Sequence, residues 1–306
     1  NCIHVFGGYP VEPADRDVKT RHLDSIADFI KLSDKPFHAY SLGYQRITDG
    51  IELARLNRGI SHGQLHEEAS LITIINTNSP LKLDDPMGVG IMEMAKAGQA
   101  ICITPFTLSG AMAPVTIPGA LVQQHAEFMV GVCLAQAARP GAKVIYGSFT
   151  SNVDMKSGAP AFGTPEYVRA TQISGQLARK LGVPLRTSNA NAGNFPDAQA
   201  AWESEMSLWA VMTARTNFVM HAAGWLEGGL SASFEKMMID ADLLQMKMAY
   251  LEATDFDEAD LGLDAIADVG PGGHFFGTAH TMERYENAFY QPLLSDWRNF
   301  ETWTEG

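Results

Sequence analysis

Apolar residues in this chain fall into short unbroken runs separated by longer stretches with helical spacing. The runs CIHVFGG (Cys2 to Gly8), FHAYSLG (Phe37 to Gly43), LITIINTNS (Leu71 to Ser79), Ala100 to Pro105, Lys143 to Gly147, Pro184 to Ser188 and Phe218 to Met220 have strand length. Several are rich in β-branched residues and end in Gly, Asn or Ser. Between them, Val18 to Leu32 sets Leu23, Ile26, Ala27 and Ile30 on one helical face. Further helices are expected near Ile47 to Leu56, Pro86 to Ala97, Ala120 to Ala138, Pro165 to Leu181 and Ala198 to Ala214. Another begins near Phe234, with Ser231 or Ser233 available as its cap.

Strand and helix thus alternate seven times, and no hairpin signal joins neighbouring strands. Continuous apolar strands with amphipathic crossovers imply an α/β fold with a parallel sheet covered by helices. A TIM (β/α)8 barrel needs about 250 residues, and these repeats occupy roughly that span. The doubly wound alternative calls for GxGxxG after the first strand, and HVFGGYP lacks it. The expectation is a barrel over residues 1–253 that lacks its N-terminal part, the eighth strand lying before Asn1. After Ala253 the alternation stops. Residues 254–306 predict an acidic helical extension packed on the barrel, with a GPGGHF turn that contains His274.

Composition narrows the partners. A formal net charge of -13, with Lys and Arg scattered, argues against nucleic acid or an anionic membrane. No apolar run is long enough to span a bilayer. Cys2, Cys102 and Cys133 have neither metal-ligand spacing nor even pairing, so reduced thiols and a cytoplasmic location are expected. The methionines recur mostly at helical spacing and read as core filler.

Barrel active sites lie at the carboxyl ends of the strands. Those positions hold Phe6 and Tyr9, Tyr40 and Ser41, Asn76 and Asn78, Phe106, Thr107 and Ser109, Tyr146, Ser148 and Asp154, Ser188, Asn189 and Asn191, and His221 with Trp225. Schiff-base chemistry needs a buried strand-end lysine; Lys35 and Lys143 start their strands and Lys156 is in a loop. A metal site needs clustered ligands, yet His38 and His221 are isolated in sequence. Paired carboxylates could come from Asp154 and Glu227, neither directly on a strand. A phosphate loop at Gly228 and Gly229 has no Lys or Arg beside it. What remains is a cation held against aromatic faces, for which Phe6, Tyr9, Phe106, Tyr146, Phe149 and Trp225 are available. Each aromatic taken alone is more often packing, and His221 taken alone is as often structural as ligand-binding. A ligand that also bears a carboxylate could take hydrogen bonds from His221 and the Asn side chains.

Four stretches then resemble a known family. They are SGAMAPVTIPGALVQQHAE, YGSFTSNVDMKSGAPAFGTPE, AAGWLEGGLSASFEKMMID and DVGPGGHFFGTAHT, in order from Ser109 to Thr281. Together they resemble the trimethylamine methyltransferase family, which implies a TIM barrel and an additional N-terminal region that this chain is expected to lack. One branch of that family carries pyrrolysine and demethylates trimethylamine. The other lacks it, and its best-known activity moves a methyl from glycine betaine to a corrinoid protein. This sequence has only standard residues, and HAAGWLEGGL looks more like the betaine-type members. A quaternary ammonium leaves as a neutral amine and needs no general acid, whereas a tertiary amine must first be activated.

The resemblance therefore implies transfer from a quaternary amine to the Co(I) corrinoid of a partner protein, with no intrinsic cofactor, no metal site and no general acid or base. The expected substrate-binding residues are His221, Trp225, Phe106, Tyr146, Asn76 and Asn189, with Asp154, Glu227 and His274 in a second rank. The alternatives are a trimethylamine-type or other methylamine methyltransferase and a betaine-binding protein on the same scaffold without transfer. Whether the chain forms homo-oligomers stays open.

Overall fold

The computed structural model describes residues 13–305. The first expected strand, with Phe6 and Tyr9, lies outside the described residues. Helices α1 (Arg21–Leu32), α2 (Tyr44–Arg58) and α3 (His62–Glu67) precede β1 (Ile72–Thr77). The chain then runs through α4 (Asp85–Lys96), β2 (Ala100–Pro105), β3 (Leu108–Ser109), α5 (Ile117–Ala138), β4 (Val144–Gly147), β5 (Ser151–Val153) and β6 (Pro160–Ala161). It continues through α6 (Pro165–Leu181), β7 (Leu185–Ser188), α7 (Ala198–Thr213), β8 (Phe218–Met220), β9 (Trp225–Leu226), β10 (Ser231–Ala232) and α8 (Phe234–Leu251).

The main sheet has five strands in the order β1-β2-β4-β7-β8, each pairing parallel with the next. Strand order never reverses. A doubly wound sheet would contain a switch point, so this winding is that of a (β/α) barrel, open among the described residues. Local signals fix the helix starts: Asp84 caps α4 and Thr164 caps α6, each accepting from a backbone amide three residues on, with Pro in the first turn.

Side chains alternate across the sheet. Ile75, Ile103, Tyr146 and Leu185 belong to the core formed with the helices, which also contains Phe128 of α5. The opposite face carries Ile74, Cys102 and Ile145 in one register row, then Gly147, Arg186 and Phe218 in the next.

Two features differ from the sequence expectation. The segment expected as a strand from Phe37 to Gly43 is reduced to a parallel bridge between His38 and Ile72. The Ala39 amide donates to the Ile72 carbonyl at 3.1 Å and Thr73 Oγ1 donates to the Ala39 carbonyl at 2.6 Å. Pro36 lies just before this segment and α2 starts at Tyr44, so the chain touches the sheet edge and leaves. Hairpins also occur where loops were expected. β5 and β6 pair antiparallel, and β9 pairs antiparallel with β10. The first is closed by Asp154, whose carboxylate accepts from the Lys156 and Ser157 amides, a local turn that apolar periodicity does not reveal.

Contacts divide the chain into two compact units, one ending at Asp240 and the other Ala241–Gly306. The second contains short helices at Leu263–Val269, Ala279–Arg284 and Phe300–Glu305. Its Asp242 carboxylate accepts from the Tyr290 hydroxyl at 3.0 Å and the Leu293 amide at 2.8 Å. These bonds hold the Asp242 carboxyl below its ordinary pKa against the opposing effect of partial burial.

Gly147 is required where β4 passes β2. A Cβ there would lie 2.0 Å from Thr104 Oγ1 and 2.5 Å from the Ile103 carbonyl oxygen. Gly147→Ala should destabilise the protein by about 1–3 kcal/mol through overpacking, read as a lower urea midpoint. Gly63→Ala, whose Cβ would meet only Ser61 Oγ at 3.9 Å on exposed α3, should leave the midpoint unchanged or slightly raised.

Candidate functional site

The carboxyl ends of β7 and β8 lead into two loops that hydrogen-bond to each other. Asn191 Nδ2 donates to the Trp225 carbonyl at 2.7 Å, and the Trp225 indole N–H donates to the Asn191 carbonyl at 3.1 Å. Asn189 Nδ2 donates to the Ala222 carbonyl at 3.0 Å, and the Glu227 amide donates to the Gly193 carbonyl at 2.8 Å. From α7, the Glu203 carboxylate accepts the Ala192 and Gly193 amides at 2.7 and 3.0 Å.

A buried ion pair fixes the other side of the second loop. Lys236 and Asp240, one turn apart on α8, are both fully buried and bonded to each other. Asp240 Oδ2 accepts the Gly224 amide at 2.8 Å, and Lys236 Nζ donates to Ser204 Oγ at 2.7 Å. Asn191 Nδ2 also reaches Ser204 Oγ at 3.3 Å, which closes a ring of bonds around Trp225. Gly229 lies against the indole: with φ +100, a Cβ there would sit 2.5 Å from the ring.

Within this frame the aromatic side chains converge. Phe149 is the hub, with ring centroids 5.0 Å from Phe106, 5.4 Å from Phe162, 5.9 Å from Trp225 and 5.8 Å from His221. His221 and Trp225 are 4.0 Å apart. Phe162 and Tyr167 are buried behind, whereas Phe106 and Trp225 are only partly buried and leave aromatic surface available. His221 holds a left-handed backbone at φ 54, uncommon for a residue with a side chain, and its Nδ1 lies 3.2 Å from Ser188 Oγ.

Electrostatics around the cluster are set first by burial and then by nearby positive charge. Burial holds the His221 imidazole well below its ordinary pKa, and the charges of Arg186 and His38 push the same way. His221 is therefore neutral at pH 7. Burial also raises the Tyr167 hydroxyl to about 12. Arg186 sits on β7 with its guanidinium carbon 5.4 Å from the Phe149 centroid. Its Nε and Nη1 are buried without a hydrogen-bond partner among the described residues.

Residues 1–306 match the family model described as trimethylamine methyltransferase (MTTB). The chain belongs to this family. It is 38% identical over 304 residues to glycine betaine methyltransferase of Desulfitobacterium hafniense (strain Y51), covering 99% of this chain and 63% of that protein. It is 33% identical over 226 residues to trimethylamine methyltransferase MttB1 of Methanosarcina mazei, covering 74% and 45%. It is 26% identical over 295 residues to proline betaine:corrinoid methyltransferase of Eubacterium limosum, covering 94% and 60%. The chain thus spans less than two thirds of the length of these three relatives.

In this trimethylamine methyltransferase family member, the fold brings together His221, Trp225 and Phe106 from the sequence-derived set. Asn189 is buried, and its Nδ2 bonds the Ala222 carbonyl in the loop that carries His221 and Trp225. Asn76 is exposed at the end of β1, in register with Thr104 of β2. Tyr146 is elsewhere. It faces the helices, with its ring 4.3 Å from Phe128 and its hydroxyl accepting from Gln124 at 3.3 Å. Asp154 is exposed, its carboxyl held below the ordinary range mainly by the Ser157 hydroxyl and further by the Lys156 and Ser157 amides. Glu227 is exposed and accepts from Ser231 Oγ at 2.8 Å. His274 lies in the second unit, 6.0 Å from Phe276.

Sequence reasoning missed Arg186, Phe162 and the Lys236–Asp240 pair. Signals existed for two of these: an arginine inside the strand PLRTS, and Lys and Asp at i,i+4 on an apolar helix. Lys236 is a buried lysine, but Asp240 and Ser204 occupy its ammonium, which leaves it a structural part rather than a Schiff-base nucleophile.

Lys236→Met leaves Asp240 as a buried unpaired charge and should cost about 3–5 kcal/mol, measured by urea unfolding. Adding Asp240→Asn should recover part of that loss. For His221 the folded imidazole stays neutral while the unfolded one takes a proton near pH 6.5. Below that pH the unfolded state binds more protons and stability falls. The loss of thermal midpoint between pH 7.5 and 5.5 should accordingly be smaller in His221→Asn than in wild type.

Proposed function

We propose that this protein transfers a methyl group from a quaternary amine, glycine betaine before others, to the Co(I) corrinoid of a partner protein. The observation that carries this reading is the partly open aromatic cluster of Phe106, Phe149 and Trp225 with a neutral histidine on its flank. Aromatic faces attract a trimethylammonium group through their quadrupoles, with about 0.5–2 kcal/mol per contact. The names of the relatives from Desulfitobacterium hafniense and Eubacterium limosum favour the same substrate class.

The chemistry asks little acid–base work of the protein. Cobalt supplies the electron pair for the new carbon–metal bond, and the departing nitrogen keeps the pair of the broken C–N bond. The product from glycine betaine is dimethylglycine, a neutral amine, so no proton has to be delivered. A tertiary amine would depart as an anion unless protonated first, and a His221 held neutral is a poor donor for that step. Phe106 and Trp225 would orient the ammonium so that one methyl projects toward the acceptor, a contribution of positioning. Cytoplasmic residence belongs to the same proposal and rests on the cysteine pattern of the sequence.

Purified protein given a reduced corrinoid protein and glycine betaine should yield dimethylglycine by mass spectrometry and methylated corrinoid by absorbance. No turnover with any quaternary amine removes this reading. Calorimetric betaine binding without transfer favours a binding protein on the same scaffold. Trp225→Leu should keep the circular dichroism spectrum and weaken betaine binding about tenfold, on the order of one strong cation–π contact.

A further inference from the structure

Arg186 takes no part in the methyl transfer itself. It lies on the sheet face turned away from the helices, in register between Gly147 and Phe218. The residue is 2% exposed, and among the described residues neither an Asp nor a Glu carboxylate comes within ion-pair distance. Its Nε and Nη1 are buried and without a hydrogen-bond partner among the described residues, and its guanidinium lies over the ring of Phe149. Burying a guanidinium without an anion is costly. Stacking on one ring returns only a small part of that cost. The fold holds an unneutralised cation one ring away from the surface assigned to the ammonium.

We propose that Arg186 anchors the carboxylate of the substrate, so that the site selects zwitterionic betaines over quaternary cations that carry no acid group. This rests on the quaternary-amine reading above. A guanidinium matches a carboxylate in planar, two-bond geometry, and an ionised pair of this kind is among the stronger hydrogen-bonded contacts. In a betaine the two charges are covalently linked, and the site presents the two complementary features in the same order. Arg186, over the Phe149 ring, is placed for the anion, while Trp225 and Phe106, whose rings also pack against Phe149, are placed for the cation.

Selectivity comes from repulsion as well as attraction. A plain tetraalkylammonium ion would enter beside an uncompensated positive charge in a water-poor cluster, where Coulomb effects are strong. The role of His221 changes accordingly. As a neutral imidazole it contributes at most one N–H, and the charge that neutralises the carboxylate comes from Arg186.

The test is a calorimetric series on the full chain with glycine betaine, its methyl ester and tetramethylammonium. The ester keeps the shape and the cation but has no anionic carboxylate. Wild type should bind glycine betaine at least ten times more tightly than either of the other two. Arg186→Gln should bring the three affinities to within about threefold of one another, and Arg186→Lys should retain part of the preference. Equal binding of betaine and ester by wild type overturns the anchor while leaving the quaternary-amine reading intact. So does an Arg186→Gln protein, folded by circular dichroism, that weakens all three ligands equally. Wild type that binds none of the three removes the quaternary-amine reading and the anchor with it. If Arg186→Gln does not fold, the wild-type ligand series decides alone.

Discussion

The site depends on the salt bridge between Lys236 and Asp240. Taking two charges fully out of water is unfavourable unless nearly all their hydrogen-bonding capacity is met. Here Ser204 Oγ accepts a hydrogen bond from the ammonium, and the carboxylate accepts one from the Gly224 amide. The pair thus joins α8 to α7 and to the segment that precedes Trp225. Its bonds run on through Ser204 to Asn191, and from Asn191 to both ends of Trp225. The position of one indole ring is set by interactions that begin two elements away.

That arrangement explains why the aromatic cluster can stay partly open. A cage made of mobile side chains would collapse onto itself to bury its own apolar surface. Trp225 is prevented from doing so because its N–H and its carbonyl are both occupied and the Gly229 backbone lies against its ring. Phe149 is held between Phe106 and Phe162. Much of the ordering cost that a ligand would otherwise meet on binding is met during folding.

Most of the scaffold was legible in the sequence, and the reason is physical. Strands such as Ile72–Thr77 and Ala100–Pro105 are buried on the helix side and rich in β-branched residues, so their boundaries follow from composition. Three kinds of feature were not legible. The Asp154 turn depends on side-chain-to-backbone bonds that leave the apolar pattern unchanged. Tyr146 and Gly147 are adjacent at the end of β4, and period-two alternation sends them to opposite faces, so choosing the tyrosine chose the helix side. Arg186 is the second residue of β7, two positions before the strand's carboxyl end, and the apolar pattern does not mark which face of the strand its side chain takes.

His221 combines a left-handed backbone with a partly buried, neutral ring and sits near the unpaired Arg186. Glu227, in the next turn, has a positive φ of its own. Each of these is unfavourable for folding, and they gather around β7 and β8; Leu81 and Arg215 are the other described non-glycine residues with positive φ. The mouth of the sheet is therefore the part of the molecule with the most room for stabilisation. A search for heat-resistant variants would find its largest gains there, and those gains would come at residues that give the site its shape and charge.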